Sequence, residues 1–475
     1  MLGLKNTLWN TVSGMNVSQA GLSTVGHNLA NADTEGYSRQ KVHIGNRGPL
    51  QVHTGSEQIS QAGQGARVEN INRAHSTFLE RQLLRDRLDR GFFDGQSGAL
   101  RLFERLFDEG SSNTVGTAMD DFFNSVRELS QDPSSDGHRD MFLERTRDVT
   151  RSFNRVAQDS HRVQEDIDRS LQAKIERINE LGEVIRNANA RIGSIEAVGL
   201  TANDSRDHRD MAVKEIAELA NVRVLIHRDG SAQIDLANGF TLVQGTTLAS
   251  LRTLPDPANG GLRAVQHIGL NGVATDITDS ITRGEIGGLL EARDTTIPDR
   301  MAEIDNLAFT FTQEVNAIHQ GGFGLDGLGG RDLLTPIGAV NGAALAMAVE
   351  PGVLANPDQV AAATDPLAVP GDNRNLLRLA DLQMARQGVL GDVSLNHFYG
   401  EVVRRVGSDV DQNQTFAEFH QARFEQSDAL RESIEGVSLD DEMVDLSRYQ
   451  KHFEASARVM DTVNRLMDEI LQLVR

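Results

Sequence analysis

The sequence predicts a mainly α-helical chain, with terminal coiled-coil helices, a bundle domain of long helices and a small inserted β-rich domain. Three observations carry that expectation. Apolar residues recur at intervals of seven at both chain ends. Helical periodicity runs almost unbroken from about residue 139 to residue 198. Near Val222 the pattern changes to short β-branched runs separated by turn formers.

The ends come first. Leu439, Leu446, Phe453, Met460, Met467 and Val474 hold the seven-residue spacing without a miss. Val463 and Ile470 add a second stripe, interrupted by polar Glu442 and Ser456. At the other end Met1, Leu8, Met15, Leu22 and Leu29 keep the same period. Such a repeat marks a helix that seeks a coiled-coil partner. A helix of ~36 residues at ~1.5 Å per residue runs on the order of 50 Å, too long to bury its seam in one small core. The plain alternative is a pair of long helices closing an ordinary bundle.

Between the ends, residues 4–30 read as one helix that stops in the turn formers Asn31 to Gly36. Tyr37 to Gly65 reads as extended chain or hairpins. Helical patterns follow at 76–107, at 115–129 and at 139–198, where Leu171, Ile178, Ile185 and Ile192 form a heptad stripe beside Leu181 and Ile195. Val222–Ile226, Asp229-Gly230 and Ala232–Leu236 read as a β-hairpin opening a domain of about sixty residues. Helix returns at Gly287, with a seam from Met301 to Ile318. Residues 321–375 are rich in Gly, Ala and Pro, so irregular structure or a short subdomain is expected there. Helices resume at 376–385 and 395–434, the latter with apolar Phe416, Phe419, Leu430 and Ile434. Gly436 then breaks the chain, and Ser438, followed by Asp440, Asp441 and Glu442, starts the last helix: an oxygen acceptor with acids at the positive end of the dipole.

Composition narrows the function. The 475 residues suggest about three domains. A net charge of −21 excludes nucleic acid as a partner, which needs a basic footprint, and no basic run could hold an anionic membrane. There are no cysteines, which removes disulfides, thiolate catalysis and Cys-ligated zinc. The start, MLGLKNTLWN, shows no Sec-type signal, and no apolar run approaches the ~20 residues of a membrane span.

Searches for chemistry end without a site. Gly322, Gly324 and Gly327 spell GxGxxG, but they follow a helix rather than a strand, so no dinucleotide site is expected. The run Asn203 to Asp210 is dense in carboxylates, yet lacks the Gly and distal Glu of an EF-hand and reads as a structural turn. The histidines show no HExxH and no i, i+4 pair. No catalytic residue, metal or cofactor is expected, and the chain reads as not an enzyme.

One further pattern is specific. Ser13-Gly14-Met15, Gln19 to Leu22 and His27 to Tyr37 resemble the N-terminal signature of bacterial flagellar rod, hook and hook-associated proteins, with Asn28, Asn31, Gly36, Tyr37 and Arg39 as its motif residues. Ser38-Arg39-Gln40 resembles the hook-associated protein 1 branch. Asn203-Asp204 with Asp207 to Asp210 is similar to a motif of that branch, although Ser205-Arg206 replaces a leucine pair. Gly288 to Asp294, Ala308, Val315 to Phe323, Gly371 to Asn375 and the C-terminal Leu446, Tyr449, Gln450, Ala455 and Ala457 complete the resemblance in order.

The resemblance implies a hook–filament junction protein exported through the flagellar type III apparatus, cytoplasmic beforehand and extracellular afterwards. It implies an inner terminal domain (1–45 and 436–475), a helical bundle domain (46–221 and 286–435) and an outer β-rich domain (222–285). Larger members carry a second outer domain in the region matching 323–375; here only one is expected. Implied partners are copies of the chain in a ring, hook subunits, the second junction protein and filament, and an export chaperone on the C-terminal helix. The expected assembly interface is Leu8, Met15, Leu22, Leu29, Leu439, Leu446, Phe453, Met460, Val463, Met467 and Ile470. Alternatives are another flagellar axial protein (a hook or distal-rod subunit), an axial protein with an enzymatic insert, or a soluble helical binding module.

Overall fold

In this computed structural model the described residues are 2–48, 50–54, 58–108, 114–236 and 239–473. Met1 and Val474 of the heptad stripes lie outside them. Helix α1 (Leu2–Ala30) leads into an arm of two antiparallel ladders, β1 (Gln40–Asn46) with β4 (Ala66–Arg73) and β2 (Leu50–Thr54) with β3 (Gln58–Ala62). Then come α2 (Thr77–Glu104), α3 (Val115–Gln131), α4 (Asp136–Glu196) and α5 (Asn203–Leu219). Each of α2, α3 and α4 starts at a hydroxyl residue, Ser76, Thr114 or Ser135, whose oxygen accepts the N–H three residues on.

Strands β5 (Val222–Ile226), β6 (Ala232–Leu236), β7 (Phe240–Gln244) and β8 (Thr247–Leu248) form one antiparallel sheet in chain order. Strands β9 (Ser250–Pro255), β10 (Arg263–Ile268) and β11 (Ala274–Asp276) form another, with β10 central. Helix α6 (Gly284–Glu291) passes through a π-helical turn at Ala292–Thr296 into α7 (Ile297–Gln320). Three short helices follow, α8 (Ala343–Ala346), α9 (Pro351–Ala355) and α10 (Arg374–Asp381). Two long ones close the chain, α11 (Leu395–Glu435) and α12 (Leu439–Leu473). The class is the expected one.

Helix α4 is unbroken over 61 residues, ~90 Å at ~1.5 Å per residue. It serves two cores in succession. Its first half, through Phe142, Phe153, Val163 and Ile167, packs with Phe122 and Phe123 of α3, Phe311 of α7 and Val402 of α11. Its second half, Leu171, Ile175, Ile178, Leu181 and Ile185, packs with Ile216 of α5 and with Ile234, Leu242, Val243, Leu251 and Val265 of the sheets. The β-segment therefore shares its core with the rod instead of hanging outside it as a self-contained unit. Asp168 stands between the cores, accepting from the Arg263 N–H (2.8 Å), Arg263 Nη1 (2.8 Å) and Arg293 Nη1 (2.7 Å). Arg293 is 1% exposed and is also paired with Asp294, so a buried charge is met on every side.

The Gly- and Ala-rich stretch after α7 is better packed than its weak periodicity suggests. Leu333, Leu334, Ala343, Ala344 and Val360 are fully buried against the bundle. Buried polar groups of α7 satisfy its backbone. Asp305 accepts the Gly342 and Ala344 N–H groups. Asn316 accepts those of Leu333 and Leu334 and donates to the Leu334 carbonyl. Among the described residues this stretch contributes isolated bridges, with no paired strands of a second β-domain.

Candidate assembly interface

Helices α1 and α12 pack antiparallel along their length. Asn28 bonds Glu442, a Cβ on Gly21 would lie 2.5 Å from the Tyr449 ring, and one on Gly14 would lie 3.2 Å from Ser456 Oγ. These partners step by one heptad on each helix. Glu442 and Ser456, which read as interruptions of the C-terminal stripe, are thus members of the facing row with Tyr449, Val463 and Ile470.

Burial sorts the expected seam. Val463 is buried; Leu446, Phe453, Met460, Met467 and Ile470 are partly buried. On α1 the buried residues are Thr11, Ser13, Val17, Ser18, Gly21, Thr24, Val25 and Asn28, while Leu8, Met15 and Leu22 are half-buried. The row that meets α12, Gly14, Gly21 and Asn28, lies one residue before the leucine stripe, because small residues let the helices approach and the larger ones fill the margins. Leu29 and Leu439 are 41% and 53% exposed. Met443, Val444, Val459 and Leu466 are exposed as well, so the pair covers only part of its apolar surface.

A polar junction fixes the register. Asn28 is 1% exposed and fully bonded. Its Nδ2 donates to the Gln40 carbonyl (2.9 Å) and to Glu442 (3.0 Å), and its Oδ1 accepts from the Gln40 N–H (2.9 Å) and Tyr37 Oη (2.8 Å). Glu442, also 1% exposed, receives Arg39 Nε at 2.7 Å. Arg39 reaches Asp441 and Asp445 with its remaining nitrogens, and its N–H donates to the Glu435 carbonyl. Asn31 closes the end of α1 by donating to the His27 carbonyl. Gly36 has φ +77°, and a Cβ there would lie 2.3 Å from the Met211 sulfur, so both conformation and space call for glycine.

The carboxylate run at 203–210 is the first half of α5, which corrects the reading of it as a turn. It docks the same junction. Asp207 accepts from the Ser38 N–H and Oγ and from Arg73 Nη1 at 2.6 Å; Arg73 also pairs with Asp210. Asp204 accepts from Gln40 Nε2, and Asn203 donates to the Gln40 side chain and the Ile71 carbonyl. Three motifs far apart in the chain are therefore one constellation. Sequence reasoning did not place Asp207 and Glu442 in it; the available signals were the motif that contains Asp207 and, for Glu442, an acid at a seam position.

Burial, then Asp204, Asp207 and Glu442, pushes the Tyr37 phenol well above its ordinary value, so it stays a donor to Asn28. Burial opposes the charges of Arg73 and Asp210, but their mutual attraction outweighs it: Arg73 is raised and Asp210 lowered. Burial raises the Asp207 carboxyl, against the pull of Arg73 and Ser38. His75, Glu80 and Glu435 bring possible ligand atoms within 4.8 Å of one another. However, Glu435 accepts the Ser76 N–H at 2.6 Å and Glu80 pairs with Lys214 at 3.4 Å, so these donors already have partners and a cation beside them. No helix among the described residues is long and apolar enough to cross a membrane.

The arrangement is that of a subunit whose two ends are clamped together at one pole of a helical rod. Family models match three parts of the chain. The flagellar hook-associated protein FlgK helical domain matches 100–334, the flagellar basal body rod FlgEFG C-terminal model matches 432–473, and the flagella basal body rod protein model matches 8–37. Together they define a flagellar axial protein. Flagellar hook-associated protein 1 of Bacillus subtilis is 23% identical over 488 residues, covering 96% of each chain. Its namesake in Escherichia coli is 23% identical over 551 residues, covering 98% of this chain and 99% of that one. The hook junction protein FlgK from Burkholderia pseudomallei shares the fold, with a TM-score of 0.65 at 15% identity over 75% of this chain and all of that one. The chain belongs to the flagellar hook-associated protein 1 family.

Proposed function

We propose that the protein is a structural, non-enzymatic adaptor joining flagellar hook to filament, with the paired terminal helices as its polymerisation element. The observation that carries this reading is the junction of Asn28, Arg39, Asp207 and Glu442, which ties both chain ends to the rod in one register. A pair of helices that leaves Leu29, Leu439 and Met443 exposed has apolar surface left for neighbouring subunits to cover. On this reading 1–45 with 436–475 is the inner layer of a ring, 46–221 with 286–435 the rod domain, and 222–285 the outermost part. Copies of the chain flank it in the ring. Hook subunits lie on one side, and the second junction protein and filament on the other. Before export through the type III channel, a chaperone covers the apolar face of α12.

The decisive experiment is removal of the protein from its cells. Completed hooks without filaments, with flagellin lost to the medium and filaments restored by the intact chain, are expected. Normal filaments growing on hooks that lack the protein would refute the adaptor role.

A further inference from the structure

Across this acidic chain most arginines meet a carboxylate, as Arg73, Arg87, Arg90, Arg206 and Arg293 do. Others have none among the described residues, and three of these share a single face. Arg81 and Arg85, a turn apart on α2, and Arg223 on β5 have no carboxylate partner among the described residues. With Phe78, which is 64% exposed, they line a groove of about 530 Å³ between α2 and β5. Strand β5 is the outer strand of its sheet, and a charged residue on such an edge disfavours pairing with another strand. The groove therefore suits a side-chain surface that is acidic and apolar.

The chain carries such a surface. On α11, Glu418 and Glu425 are exposed, and each is bonded only to the glutamine four residues before it among the described residues. Beside them lie Phe419 (56% exposed) and exposed Ala422 and Ala429. Helices α2 and α11 run antiparallel, since the Ser76 N–H meets Glu435, Gln82 meets Ser427 and Asn413 meets Gln96. Arg81 and Arg85 thus lie level with residues 425–429 of the same molecule. The two surfaces sit at one height of the rod on different helices.

We propose that this groove is filled by a second copy of the chain, whose Glu418–Glu425 face of α11 lies against Arg81, Arg85 and Arg223. Two different patches joined head to tail make a heterologous contact, the kind that closes rings. The charge complementarity argues for this occupant, and the contact rests on the adaptor reading.

The chain has no cysteine, so Arg85→Cys with Glu425→Cys introduces the only two thiols. In flagella purified from cells carrying the double variant, mild oxidation is expected to give a ladder at multiples of the chain mass; neither single variant gives one beyond a dimer. A protein that enters flagella but yields no ladder, or cross-links instead to a protein of another mass, overturns the proposal and leaves the adaptor reading standing. Absence of the unmodified chain from flagella overturns both. Independently, Arg81→Glu with Arg85→Glu is expected to cut incorporation at least about tenfold, since facing like charges repel, and Glu418→Arg with Glu425→Arg is expected to restore it. Circular dichroism of the purified variants controls for folding. Unchanged incorporation of the folded arginine variant also overturns the contact.

Discussion

Glu442→Ala tests the junction most directly. The carboxylate is 1% exposed and receives Arg39 Nε at 2.7 Å and Asn28 Nδ2 at 3.0 Å. Removing one partner of a buried charge pair costs about 3–5 kcal/mol, because the other charge stays behind. Arg39 keeps Asp441 at 3.2 Å and Asp445 at 3.5 Å, which places the cost at the lower end, ~3 kcal/mol. At ~1.4 kcal/mol per tenfold, that is on the order of a hundredfold in the local opening equilibrium. Hydrogen exchange of the purified protein reads it where it acts: amides in the first three turns of α12 should exchange ~100-fold faster than in the unmodified chain. Leu439→Ala, at a side chain already 53% exposed, should stay within about threefold, a surface-sized effect. If Glu442→Ala also stays within about threefold, the junction does not hold the chain ends and the register argument fails.

Three further outcomes follow from the same geometry. Gly21→Leu drives a side chain into Tyr449 and should weaken the terminal pair by ~1–3 kcal/mol, read as faster exchange in both α1 and α12, with the first core unaffected. His319 donates through Nδ1 to the Arg331 carbonyl (2.7 Å) and accepts the Ala361 N–H at Nε2 (3.0 Å), and burial holds its pKa below the ordinary 6.5. The unfolded chain therefore takes up that proton first, so stability should be full above about pH 6.5 and fall as pH drops toward the folded value; urea midpoints of His319→Gln that keep the same slope would contradict this. Deleting 222–284 with a short bridge should yield an insoluble chain, because Leu171, Ile175, Ile178 and Leu181 lose their cover; a soluble, helical deletion variant would show that the β-segment is dispensable to the rod.

The long helices were legible because each repeats one local rule many times. Helix α4 keeps an apolar stripe, and Ser135 caps it; α12 keeps its heptad after Gly436 and Ser438. The β-segment was legible as strands, since Val222–Ile226 and Ala232–Leu236 flank a turn, but its cover was not. Strands that share a core with a helix fifty residues earlier look, in sequence, like strands with a core of their own. The ordered stretch after α7 was hidden for a related reason: its backbone is satisfied by Asp305 and Asn316, polar residues that a periodicity count scores as surface.

By itself the sequence determined the helical class, the heptads at both ends, the absence of thiol chemistry and the signature of motif residues from Asn28 to Arg39, all of which depend on residues near one another in the chain. The tertiary structure alone decided what those residues meet. It turned the two apparent breaks in the C-terminal stripe into contacts with Asn28 and Gly14, and it set the row of α1 that meets α12 on Gly14, Gly21 and Asn28. It also brought Ser38 and Arg73 onto Asp207. Buried polar groups must find partners wherever in the chain those lie. Their pairing is a long-range fact that local pattern does not record.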